Sequence, residues 1–111
     1  MLQLKKPLAF IDIEATGTNV STDRIVEIAI VKLMVDGNRS VKRKIINPQI
    51  PIPQVCIDMH GITNEIAKDA PVFKQVAQEI KQFLDGCDLA CYNAYRGDIP
   101  LLMEEVIRAE V

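Results

Sequence analysis

The 111 residues are one domain's worth of chain, too few to build two hydrophobic cores. Apolar residues at 49% and charged residues at 25% match folded globular proteins, which argues against a disordered chain or a coiled coil. Thirteen basic against 15 acidic side chains give a net charge of −2, so the basic surplus that broad electrostatic binding to nucleic acid requires is absent. A protein that grips only a chain end needs no such surplus.

The apolar stretches, Ile28 to Val31 among them, are broken by charges long before the roughly 20 residues needed to span a bilayer, so no membrane association is expected. Pro7 and Asp12 interrupt any apolar region of a signal peptide. Cys56, Cys87 and Cys91 are an odd number without a secretion signal and read as reduced, cytoplasmic thiols. On a strand, Cys87 and Cys91 lie about 13 Å apart, too far for one tetrahedral ion.

Leu8 to Ile13 is a short apolar run closed by the turn residues Thr16-Gly17-Thr18-Asn19, so a strand is expected there. Ile25 to Val35 is rich in Ile and Val, and Asp36-Gly37-Asn38 signals a hairpin into Val41 to Ile46. Three antiparallel strands follow from these signals. Asn47-Pro48, Pro51 and Pro53 forbid regular pairing and mark a surface crossing. Arg39 and Lys42-Arg43-Lys44 form a basic patch that suits either phosphate contacts or the protection of a sheet edge.

From Val72 to Leu84 the apolar residues recur at steps of three and four, with Pro71 at the start and Asp85-Gly86 at the end. One amphipathic helix is expected, followed by a buried strand at Leu89 to Tyr92. Strand, helix and strand make a crossover unit, so this strand should pair in parallel with an earlier one. A closing helix should run from Ile99 to Val111, with Leu102, Val106 and Ala109 on one face.

The segment Phe10-Ile11-Asp12-Ile13-Glu14-Ala15-Thr16-Gly17 carries the chemistry. Alternate strand residues share a face, so Asp12 and Glu14 lie on one side, about 6.6 Å apart along the chain, with Ile11 and Ile13 on the other. Two adjacent carboxylates at the end of an apolar strand repel each other and lose solvation unless a cation sits between them. They can bracket two divalent ions about 3.5–4 Å apart, and ligands that are all oxygen favour Mg²⁺ or Mn²⁺. An isolated Asp-x-Glu is common by chance, but a third carboxylate, Asp98, precedes the closing helix at a strand end where such sheets bind ligands. Asp98 also suits an ordinary N-cap, and both roles are compatible with the helix dipole.

Together, Asp12-Ile13-Glu14-Ala15-Thr16-Gly17, Met59-His60-Gly61-Ile62-Thr63, and Asn93 to Asp98 followed by Ile99-Pro100-Leu101-Leu102 resemble the blocks of the DEDD-type 3′–5′ exonucleases. These are the relatives of the DNA polymerase III epsilon proofreading subunit. The resemblance implies a ribonuclease H-like α/β fold, a mixed sheet of three antiparallel strands and a parallel central strand flanked by helices. It assigns Asp12, Glu14 and Asp98 to two divalent cations, with Glu14 also holding the terminal 3′ hydroxyl. It places Thr16 and Gly17 in a turn whose backbone approaches the terminal nucleotide, His60 near its base or sugar, and Asn93 as a brace for the loop before Asp98. The implied substrate is the 3′ end of single-stranded DNA or RNA, in proofreading or repair, and the implied partner is a DNA polymerase complex.

Two departures stand against the family pattern. His60 is the single histidine, so the His-x₄-Asp block that supplies the general base and fourth carboxylate is missing from residues 1–111. Gly97 replaces the aromatic residue usual before the third carboxylate. On this reading the chain is the N-terminal portion of an exonuclease domain, lacking a strand and a helix, with activity reduced by orders of magnitude, since loss of a general base costs about 10²–10⁴-fold and loss of a metal ligand more. The sheet edge left at Leu89 and Cys91 would then seek a partner, a second copy included. Two rivals remain. One is an aspartyl-phosphate phosphotransferase, disfavoured by Glu14 where a second Asp belongs. The other is a non-catalytic nucleic-acid- or protein-binding module of the same fold.

Overall fold

The computed structural model describes residues 4–109 apart from 92–97, and leaves out the side chains of Cys91 and Asp98. Strand β1 (Leu8–Ala15) alternates as its sequence dictates: Ala9, Ile11 and Ile13 are buried, Asp12 is exposed and Glu14 half-buried. It is longer than the apolar run alone suggested, because Glu14 and Ala15 still pair with the neighbouring strand. That neighbour, β2 (Ile25–Leu33), runs antiparallel with Asp12 opposite Ala29 and Glu14 opposite Glu27. A bulge between Glu14 and Ala15 then shifts the register. The hairpin turns at Gly37, whose φ is 92°, and leads into β3 (Arg39–Ile45), antiparallel to β2.

The proline-rich crossing contains two short helices that the sequence did not announce, α1 (Gln54–His60) and α2 (Asn64–Lys68). Neither is long enough to show a period. Gly61 ends α1 at φ 76°, donating its N–H to the Ile57 carbonyl at 2.7 Å, and the Thr63 hydroxyl caps α2 by accepting from the Ile66 N–H at 3.2 Å. The Met59 to Thr63 block is therefore a helix end, a glycine cap and a helix start. The segment is held by a small cluster in which Ile52, Ile62 and Ala67 pack on Val26.

Helix α3 (Phe73–Leu84) begins with Val72 as N-cap and buries Phe73, Val76, Ala77 and Ile80 against Ile11, Ile28 and Ile30. Burying each large side chain contributes about 1.5–3 kcal/mol. Strand β4 (Asp88–Cys91) pairs parallel to β1, with Ala9 opposite Leu89 and Ile11 opposite Cys91. The sheet order is β3-β2-β1-β4, so β1 is interior and β4, expected as a central strand, is the edge of the described sheet. Tyr92, expected to end it, lies outside the described residues. Helix α4 (Asp98–Arg108) starts one residue earlier than its periodicity indicated, and Leu101 and Leu102 join the same core as α3. Asp98 is thus its first residue instead of preceding it, and residues 110–111 at its expected end are outside the description. Both α3 and α4 cover the Ile11 and Ile13 face of the sheet.

Lys42, Arg43 and Lys44 of the basic patch on β3 are tied down in ion pairs. The amino groups of Lys42 and Lys44 each lie 3.2 Å from Glu79 on α3, and Arg43 grips Glu27 with two hydrogen bonds of 3.0 and 3.1 Å. That matches edge protection better than a free phosphate-contacting strip. No helix among the described residues is long and apolar enough to cross a membrane.

Candidate functional site

Asp12 and Glu14 project from the face of β1 opposite the helical layer, at the strand's C-terminal end. Glu14 faces Glu27 across the β1–β2 ladder, a like-charge pair that would be unfavourable alone. Arg43 offsets it. Its fork on Glu27 pushes the guanidinium further above its ordinary range, first through the hydrogen bond and then through the Glu27 charge, with Asp12 adding in the same direction. Three carboxylates thus lie along one end of the face, with Glu27 committed to Arg43. Glu27 was not singled out in the sequence, and the register opposite Glu14 is the signal that finds it.

The third expected carboxylate, Asp98, opens α4. Leu101, one turn further on, lines the same cavity as Glu14, so the first turn of α4 stands beside the end of β1. Among the described residues no three Asp, Glu, His or Cys side chains come together as a metal centre, and the Asp98 side chain is outside that set. The two carboxylates on one face of β1 supply oxygen donors of the kind a hard cation takes.

The cavity next to Glu14 has a volume of about 150 Å³, room for a single aromatic ring. Glu14, Gly17, Thr18, Met59, His60 and Leu101 line it. His60 is the last residue of α1, and its Nδ1 accepts the Ile62 N–H at 3.1 Å, which puts the proton on Nε2. That Nε2 is buried and has no hydrogen-bond partner among the described residues, a donor facing an unmet need. Cys56, a free thiol, also lines the cavity and donates its S–H to the Thr16 carbonyl at 3.3 Å.

The loop from Thr16 to Arg24 is closed on itself. Thr16 is 2% exposed; its N–H donates to the Arg24 carbonyl at 2.9 Å and its hydroxyl donates to Asp23 Oδ1 at 2.8 Å. Helix α4 holds the same loop from behind. Glu105, 1% exposed, accepts from Arg24 Nε at 2.6 Å, from Arg108 Nη1 at 3.0 Å and from the Ile25 N–H at 3.3 Å. Arg108 Nη2 donates to the Val20 and Ser21 carbonyls at 3.3 and 2.8 Å. Glu105 is thus the polar centre that joins α4 to the loop after Glu14, a role that its place in the helical pattern does not reveal. Asn93 and Gly97 lie outside the described residues.

With this geometry in place, comparison with known proteins decides the family: the model of the exonuclease family RNase_T matches residues 9–109. The chain belongs to that family. It is a member of the DEDD-type 3′–5′ exonucleases, with the mixed sheet of the ribonuclease H-like fold. Among RNase_T relatives, the DNA polymerase III epsilon subunit of Haemophilus influenzae is 35% identical over 92 residues, which is 76% of this chain and 35% of that protein. The 3′–5′ exonuclease DinG of Bacillus subtilis is 32% identical over 94 residues, 82% of this chain and 10% of that one. The chain therefore spans about a third or less of these relatives. In structure, exonuclease I of E. coli in complex with a dT13 oligonucleotide superposes with a TM-score of 0.82 at 19% identity, covering 95% of this chain and 24% of that one.

Proposed function

We propose that this chain carries the metal-binding and 3′-end-binding half of a 3′–5′ exonuclease site, hydrolysing phosphodiester bonds at the ends of single-stranded DNA or RNA. The observation that carries the reading is the meeting of Glu14, on the same face of β1 as Asp12, with the first turn of α4 at one cavity, where His60 offers a buried donor with no partner among the described residues. Asp12, Glu14 and Asp98 are the residues that would hold divalent cations, Mg²⁺ or Mn²⁺. Held there, such ions would supply an acidified water and positive charge beside the phosphate.

The chain's own groups do the rest. The β1–β2 ladder fixes the backbone of Asp12 and Glu14, so both carboxylates start from one rigid strand face. Glu27, neutralised by Arg43, does not compete for the ions. Met59 and Leu101 offer apolar surface to a terminal base, and His60 Nε2 offers it or its sugar one hydrogen bond. His60 does not act as the general base, because its Nδ1 is held by the Ile62 N–H and its Nε2 carries the proton. Action within a polymerase complex, in the cytoplasm, is part of the same proposal and rests on the likeness to the epsilon subunit.

The test is digestion of 5′-labelled single-stranded DNA with Mn²⁺, comparing the chain with Asp12→Ala. Stepwise shortening that Asp12→Ala abolishes supports the reading. Full activity in Asp12→Ala, or cleavage that releases internal fragments, overturns it.

A further inference from the structure

Gly17 lies in the family's turn, where glycine is ordinarily explained by the approach of substrate. Here the space its missing side chain leaves is filled from inside the protein. A Cβ at position 17 would stand 2.8 Å from Cγ and 2.9 Å from Oδ1 of Asp23. The backbone of Gly17 is not in the left-handed region, so steric room and not conformation demands the glycine.

The Asp23 carboxylate is itself engaged with this turn through both of its oxygens. Oδ1 accepts from the Thr16 hydroxyl at 2.8 Å and Oδ2 accepts from the Asn19 N–H at 2.8 Å. The Asp23 N–H donates to the Asn19 carbonyl at 2.7 Å, and the Thr16 hydroxyl accepts the Arg24 N–H at 3.0 Å. The carboxylate thus sits inside the loop and ties both ends of the Thr16–Asn19 segment, whose Gly17 and Thr18 line the cavity beside Glu14.

We infer that Asp23 is a positioning residue for the 3′-terminal nucleotide: its carboxylate sets the shape of the Gly17–Thr18 wall, and Gly17 is required because Asp23 occupies the space behind it. This inference rests on the proposed nucleotide site. Asp23 is not among the residues that line the cavity, so its removal should act on binding through the turn. Losing two hydrogen bonds to a charged acceptor should lower affinity for a mononucleotide about tenfold or more.

The experiment is calorimetric titration of dTMP with Mn²⁺ into the chain and its Asp23→Ala, Gly17→Ala and double variants, with amide hydrogen exchange of Asn19 measured in each. Asp23→Ala should weaken dTMP binding and speed Asn19 exchange, and Asp23→Asn, keeping one acceptor oxygen, should recover part of both. Gly17→Ala should weaken binding comparably, and the double variant should bind no worse than either single, because the added methyl then has the vacated carboxylate's space. Losses that multiply in the double variant, or an Asp23→Ala protein with unchanged affinity and exchange, overturn the inference. A parent chain that binds no dTMP overturns the nucleotide-site reading instead, and unchanged Asn19 exchange in Asp23→Ala and Asp23→Asn would then overturn the role of Asp23 on its own.

Discussion

Replacing Glu105 by alanine removes the one buried carboxylate that joins α4 to the loop after Glu14. Three donors lose their acceptor: Arg24 Nε, Arg108 Nη1 and the Ile25 N–H. Breaking a fully buried ion pair from one side costs about 3–5 kcal/mol, mostly because the remaining charge is stranded. The two arginine side chains are 22% and 26% exposed and recover water in part, which sets the expected loss near the lower end, about 3 kcal/mol. Glu105→Gln keeps one acceptor oxygen for the arginines but turns an amide donor on the Ile25 N–H, so about half that loss is expected. Urea unfolding followed by circular dichroism measures both, with midpoints moving and the slope constant. An alanine variant within about 0.5 kcal/mol of the parent, or a glutamine variant as damaging as alanine, would refute the reasoning.

Ile11 is fully buried between the sheet and both long helices, so Ile11→Ala should cost about 3–4 kcal/mol in the same unfolding assay, a large share of a small domain's stability. The hydrogen bonds from Lys44 and then Lys42 hold the Glu79 carboxyl below its usual 4.5, so its stabilising contribution is present above that value and is lost as pH falls through the lowered folded-state pKa. The stability difference between the parent and Glu79→Gln should therefore shrink on acidification below about pH 4.5 and in high salt, as thermal unfolding scans will register. Gly61→Ala forces a side chain into φ 76° at the cap that orients His60, and should cost about 1 kcal/mol while shifting the His60 ring resonances in NMR spectra.

The sheet and the two long helices were readable because their burial is periodic. Period two in β1 put Ile11 and Ile13 inside and Asp12 and Glu14 on the opposite face, and period 3.6 in α3 marked Phe73, Val76, Ala77 and Ile80. The helices α1 and α2 were not readable, since five to seven residues give barely two turns and their prolines signalled only a crossing. The site residues that came from local pattern, such as Asp12, Glu14 and His60, fall beside one cavity or at the same strand end. Those that depend on contacts between distant segments stayed hidden: Glu105 with Arg24 is 81 positions away, and Glu27 becomes part of the site only through its register with Glu14. Asp23 was masked differently. Nothing in the local pattern of its loop singles it out, and only the folded loop shows its carboxylate turned inward against Gly17.

The central claim is that the end of β1 and the start of α4 together hold divalent cations. Titration of isotope-labelled protein with Mn²⁺, read by paramagnetic broadening of backbone amides, addresses it without requiring turnover. The account predicts that residues 12–17 and 98–101 broaden first, and that Asp12→Asn removes the effect at both segments together. Broadening centred on Glu79 or Glu104, or broadening at 12–17 that Asp12→Asn leaves intact, would contradict it.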